Sequence, residues 1–361
     1  MQHSPPERLR ESNLSRIFLA AYVLLVAYAS LYPFSGWREP AAPALAFLAA
    51  PWPRYVTAFD LVANFLGYLS LGILCALAVH PRASTRAAAL VAFGAGIALS
   101  LVLETVQGYL PARIASNVDV LANAAGAGVG GFAGARWAGW LLDAGPLRRL
   151  RVAAFAPGTA ADFGLVLLGL WLFAQLNPAT LLFGTGDLRD LVAAGDGVSH
   201  GAEIFVSIEA ATAAANLAAV ALIASAVALP GAPLRRLLLA LLGCALVVKT
   251  LAMAILMRAE LVFAWLTPGG QLGLAGGIVL ALATLGVPRT ARLALAAVLL
   301  MAATVLVNLA PPNPYLAATL KVWEQGHFLN FNGLTRLVGT VWPFVALAYL
   351  ITLAAPRQSV R

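Results

Sequence analysis

Apolar runs of about 18 to 27 residues recur along this chain, separated by short stretches holding arginine, proline, glycine and serine. A membrane-spanning helix needs about 20 mostly apolar residues. The pattern predicts spans at 17–34, 59–79, 87–110, 118–142, 163–183, 203–229, 237–257, 270–287, 291–309 and 334–355. The eighth is short and glycine-rich, and 259–268 is a candidate re-entrant turn. The expected fold is all-α, a polytopic transmembrane helical bundle of about ten spans. A basic, Gly/Pro-containing connection at 143–161 divides it into a four-span domain, 17–142, and a six-span region, 162–355.

Charge sets the orientation. The chain is 61% hydrophobic and 11% charged with a formal net charge of +8, and its basic residues form small clusters between apolar runs. Clusters of that kind act as orientation signals and contact anionic lipid headgroups; a nucleic-acid partner calls for a continuous basic face, so none is expected. With the N-terminus inside, fourteen basic residues fall on the inner side, among them Arg82, Arg86, Arg148, Arg149, Arg235 and Arg236, and seven on the outer. The expected location is the inner membrane of a bacterium, with both termini cytoplasmic. The first span also has a rival reading as a signal peptide ending at Ala27-Tyr28-Ala29, but its apolar run continues past that point. Cys75 and Cys244 fall within apolar runs and read as small apolar residues.

Polar groups placed in or beside hydrocarbon are costly and mark candidate sites. Asp60, Asn64 and Tyr68 are spaced by four and share a helix face, Glu104 and Gln107 are three apart, and Asp119 and Asn123 four apart. All three pairs fall at the outer membrane level, with Arg113 in the connection between the third and fourth spans. Gly126, Gly130 and Gly134 follow at four-residue intervals, where small residues let helices approach closely. The bland alternative is that these groups only hold the bundle together. As a site, Glu104 and Asp119 are the acid/base candidates, Asn64, Gln107 and Asn123 orient a ligand with Asp60, and Arg113 pairs with a phosphate or carboxylate. Oxygen-only cation binding by Asp60, Glu104 and Asp119 stays open, whereas the scattered histidines suggest no metal site; the cofactor is unknown.

The series Asp60-x3-Asn64, Glu104-x2-Gln107, Pro111-x-Arg113, Asp119-x3-Asn123 with Gly126 and Gly130 resembles the VanZ family, over about residues 17–142. That family takes its name from teicoplanin resistance, so the resemblance implies a role in antibiotic or envelope stress. The chain departs from the typical member by continuing for about 200 residues. Its segment Gly326–Arg336, with His327, Asn330, Asn332 and Arg336, looks like that of longer members from Gram-negative bacteria, which weighs against glycopeptide resistance itself. The leading expectation is an outward-facing polar pocket, formed mainly by spans two to four, that binds or modifies a lipid-linked or cell-wall precursor.

The second half carries further polar points. Glu209 and Asn216 lie seven apart on one face, with His200 and Glu203 at the mouth of that span. Glu209 and Lys249 fall at similar depth, about 9–12 Å from the outer ends of their spans, and are expected to form an ion pair. The long connection 310–333 suggests a functional loop or a packed lid. Two rival functions remain: a transporter or flippase of an amphiphile, using Glu209 and Lys249, and a non-catalytic scaffold for envelope enzymes. No nucleotide loop, nucleophile elbow or metalloprotease motif is present, and the residues do not decide whether the protein is an enzyme.

Overall fold

The computed structural model describes residues 12–40, 42–53, 57–189, 202–257, 259–311 and 329–355. Two compact units emerge, one comprising residues 1–153 with 157–162, the other 154–156 with 163–361. The first contains α1 (Leu14–Leu31), α2 (Ala58–Val79), α3 (Thr85–Gln107), α4 (Asn117–Ala138), nearly all of α5 (Pro146–Ala154) and the first turn of α6 (Thr159–Ala174). The second contains the rest of α6, then α7 (Ala202–Val227), α8 (Leu234–Leu256), α9 (Pro268–Thr284), α10 (Arg289–Leu309) and α11 (Leu329–Ala354). The described residues form no strand beyond one isolated bridge, Phe155 to Ala228.

Each predicted span corresponds to a helix. Among the described residues seven helices are long and apolar enough to cross a membrane: α1, α2, α3, α7, α8, α10 and α11. The fourth, α4, has the length, 22 residues, but carries Asn117, Asp119, Asn123 and Arg136. The other two, α6 and α9, are apolar but short, at 16 and 17 residues. At 1.5 Å per residue α6 covers only about 24 Å, less than the roughly 30 Å of hydrocarbon.

Local sequence explains four of the helix starts. Thr57, Ser84, Ser116 and Thr267 each sit just before a helix and accept a backbone N–H of its first turn. Thr57 and Asp60 also bond to each other, 2.6 Å apart, as a capping box closing the start of α2. In the first unit α2 and α4 pack most intimately, through glycine. A methyl group at Gly126 would strike the Phe65 carbonyl, and one at Gly130 the Leu69 carbonyl. Facing them, Gly72 lies against the backbone of Ala127 and Gly131. Tyr22 of α1 donates its hydroxyl to the Gly67 carbonyl of α2 at 2.9 Å. In the second unit α7 is the central helix, its apolar stretch 78% buried. Around it pack Trp171, Phe183, Leu300 and Trp342, the last donating its indole N–H to the Leu167 carbonyl.

Two boundaries differ from expectation, while the stretch expected as a candidate turn between α8 and α9 is a run of turns. The fifth span ends at Ala174 because Asn177-Pro178 stops the helix; its remainder is a buried irregular segment containing Leu181, Leu182 and Phe183. Residues 259–267 form a short 3-10 turn, Ala259–Leu261, followed by further turns, with Trp265 buried. The last helix begins at Leu329, five residues earlier than predicted, so Asn332 and Arg336 are helical residues and not part of a loop. Thr335 returns its hydroxyl to the Phe331 and Asn332 carbonyls, so Asn332-Gly333 reads as a turn in sequence yet continues the helix.

The glycine seam generates a sharp contrast. Gly130→Ala should destabilise the purified protein by about 1–3 kcal/mol through overpacking. Gly94→Ala on α3, where an added methyl meets nothing within 4 Å, should stabilise it by up to about 1 kcal/mol. Thermal unfolding of both variants in one detergent makes the comparison.

Candidate functional site

In the first unit most of the motif residues converge at the end where α3 finishes and α4 starts. Glu104 is 4% exposed, and its carboxylate accepts the Ser116 backbone N–H at 2.8 Å. That N–H belongs to the capping residue of α4, so the charge sits where the helix dipole favours an anion. Arg113 does the converse. Its Nε donates to the Tyr32 carbonyl at 3.0 Å, and one terminal nitrogen reaches Tyr32 at 2.6 Å and Ala29 at 3.1 Å. These carbonyls close the end of α1. Burial pulls the guanidinium below its ordinary pKa, against the favourable charge of Glu104. Gln107 donates to the Ser30 carbonyl of the same helix end at 2.9 Å.

A second layer lies deeper. Asn123 donates to the Ser100 hydroxyl at 2.9 Å, with Tyr68 also within hydrogen-bonding reach of Ser100. The Asn123 carbonyl oxygen is buried and without a partner among the described residues. Asp119 takes a hydrogen bond from Asn64 and lies within electrostatic range of Asp60. Neither Asp60 nor Asp119 forms an ion pair among the described residues. An open apolar groove of about 440 Å³ runs along the α2–α4 seam, lined by Leu61, Val62, Phe65, Val118, Leu121 and Ala122, with none of these polar side chains among its walls.

One knot in this unit escaped the sequence reading. Asp162 is fully buried and accepts from Arg151 (2.7 Å), the Ser12 hydroxyl (3.0 Å) and the Asn13 backbone N–H (2.8 Å). It closes the start of α1. Asp162 and Arg151 lie eleven positions apart across a chain turn, and no periodicity links them to Ser12. The only available signal was a lone aspartate opening an apolar run.

The second unit repeats the arrangement but not the expected pair. Glu209 and Lys249 are 2% and 1% exposed, yet make no direct ion pair. The Lys249 ammonium donates to the Asn177 carbonyl at 2.7 Å, the Thr180 carbonyl at 3.0 Å and the Thr180 hydroxyl at 3.2 Å. The Glu209 carboxylate accepts the Thr267 hydroxyl at 2.6 Å, with the Gly270 N–H also within reach. Equal depth placed both residues at one level; the broken end of α6 and the start of α9 supplied nearer partners. Asn216, on the Glu209 face, takes a hydrogen bond from Thr185 at 3.3 Å.

Towards the other end of the irregular segment, Asp187 and Arg189 form a two-point pair, Nε to Oδ1 at 3.0 Å and Nη2 to Oδ2 at 2.6 Å. Burial works to raise the Asp187 carboxyl, but Arg189 outweighs it and Arg336 adds to the effect, holding the group below its ordinary value. Asn332 is buried and Arg336 exposed. His327 and the side chain of Asn330, like His200, lie outside the described residues.

No group of three or more His, Cys, Asp or Glu side chains suited to a metal occurs among the described residues. Seven long apolar helices among the described residues, with charges engaged at helix ends, define a multi-pass helical membrane protein. The family model described as VanZ/LLP1 matches residues 7–137, which takes in α1 to α4. Over this stretch, about a third of the chain, the sequence is similar to the VanZ/LLP1 family. No curated protein and no solved structure gives a significant match.

Two measurements follow from the second unit. Lys249→Met should destabilise by about 2–4 kcal/mol, because buried acceptors lose their donor. In a Glu209→Gln background the loss should persist, the double variant lying within about 1 kcal/mol of the sum; recovery of most of it would restore the direct pair. For Asp187, a depressed pKa stabilises fully above the unfolded value of about 3.9 and is lost as pH falls below it. The unfolding midpoint of wild type should therefore exceed that of Asp187→Asn at pH 7, and the gap should close below about pH 4.

Proposed function

We propose that the first unit binds a lipid-linked, hydroxyl-rich precursor of the cell envelope from the outer face of a bacterial inner membrane. The observation that carries this reading is an open apolar groove of about 440 Å³ whose walls include Leu61 and Val118, the chain neighbours of Asp60 and Asp119. An amphiphile needs both parts. Its chain would lie against Leu61, Val62, Phe65 and Leu121, and its headgroup over carboxylates that accept hydrogen bonds from sugar hydroxyls. The membrane environment and the VanZ/LLP1 match support such a ligand. Orientation rests on the basic residues of the sequence, which favour an inner N-terminus.

In this reading the roles divide. Asp60, Asn64 and Asp119 meet the ligand, with Asn123 beneath them. Glu104, Arg113 and Gln107 hold the ends of α1 and α4 that frame it, a positioning role set by their bonds to Ser116, Tyr32, Ala29 and Ser30.

The test uses purified full-length protein in nanodiscs, titrated with a polyprenyl-linked glycan and with the bare polyprenyl phosphate. The glycan-bearing lipid should bind more tightly. Asp119→Asn and Asp60→Asn should each weaken it about tenfold, near 1.4 kcal/mol, with little change in unfolding midpoint. Glu104→Leu should instead lower stability by about 1–3 kcal/mol, since it strands a buried N–H. Equal affinity for the two lipids, or full binding by the Asp60/Asp119 double variant, overturns the proposal.

A further inference from the structure

The second unit holds a cavity of its own, about 380 Å³, between α7, α8 and α9. Its walls are Leu217, Val220 and Ala221 of α7, Leu238 and Leu242 among others of α8, and Ile278, Ala281 and Leu282 of α9. This is within the range of small-molecule pockets and almost wholly apolar. Two features break the apolar lining. Arg235, at the start of α8, stands at one end, and Trp171 of α6 borders the cavity with its indole N–H buried and unpartnered among the described residues. Leu239 and Leu282, which also line it, are 66% and 52% exposed, so the cavity opens on the surface that faces the acyl chains of a bilayer.

We propose that this groove is a binding site for one acyl chain of an anionic phospholipid, with its phosphate over Arg235. Charge decides the occupant: a groove entered from hydrocarbon and ending at a guanidinium suits an anion carried on an apolar chain. The groove runs for about two helical turns between Arg235 and Leu242, some 10 Å, a length that takes the upper part of a chain. A neutral phospholipid fits the apolar walls equally but gains nothing net at Arg235. The site lies within the second unit, so it stands or falls separately from the reading of the first.

The experiment is native mass spectrometry of the full chain released from nanodiscs containing equal phosphatidylglycerol and phosphatidylcholine. Wild type should retain phosphatidylglycerol in preference by about fivefold, the factor one cation at a membrane surface contributes. Arg235→Gln, a change at an exposed position, should bring the ratio to parity, while Arg236→Gln, whose side chain does not line the groove, should leave it unchanged. Leu242→Trp, which fills the groove, should reduce retention of both lipids. A wild-type ratio near one, an unchanged ratio in Arg235→Gln, or equal loss in Arg236→Gln overturns the site, the last result assigning the preference to diffuse surface charge.

Discussion

Unsatisfied backbone at a helix end is the constraint from which the rest of this structure follows. Hydrocarbon supplies no water to the orphan N–H and C=O groups of a terminus, so a membrane helix must end at an interface or find a partner inside the protein. Here the buried charges are those partners. Glu104 and Asp162 hold N–H groups at the starts of α4 and α1, and Arg113 holds carbonyls at the end of α1. In the second unit Lys249 closes the chain just past α6, and Glu209 meets the start of α9. The signs agree with the helix dipole throughout: anions at starts, cations at ends.

This distribution separates charges that build the molecule from charges left for chemistry. A buried ion whose hydrogen bonds go to backbone is expensive to remove and poorly placed to meet a ligand. Lys249, with three acceptors around one ammonium, is of that kind. Asp60 and Asp119 are not. Their contacts are a capping threonine and an asparagine, and their chain neighbours Leu61 and Val118 line an open apolar groove. In the proposed reading Asp60 and Asp119 keep the ligand-facing role expected of them, whereas Arg113 is engaged by the Tyr32 and Ala29 carbonyls.

Short helices follow from the same constraint. A 16-residue α6 is tolerable because the irregular chain after it is packed among Trp171, Leu182 and Phe183 and is tied by Lys249, Asn308 and Arg189. Irregular backbone at membrane depth survives only where protein encloses it. The dense packing of the second unit around α7 provides that enclosure, while the first unit relies on glycine contacts between α2 and α4 to bring its polar groups together.

The sequence by itself determined the all-α class, the ten helical segments, the VanZ resemblance and the grouping of polar residues in α2 to α4. Each of these rests on periodicity or on local spacing: apolar runs of span length, polar residues three or four apart, glycines four apart. Tertiary structure alone decided what the polar groups touch. Glu209 and Lys249 share a depth, but which atoms meet depends on where α6 breaks and α9 starts. Asp162 meets Ser12 and Asn13 across about 150 residues, a contact no spacing encodes. The start of α11 lies at Leu329 and not at 334, the helix running through Asn332-Gly333 although that pair has turn chemistry. Helix content is a local property of the chain, whereas the partner of a buried charge is set by whichever helix end folding brings nearest.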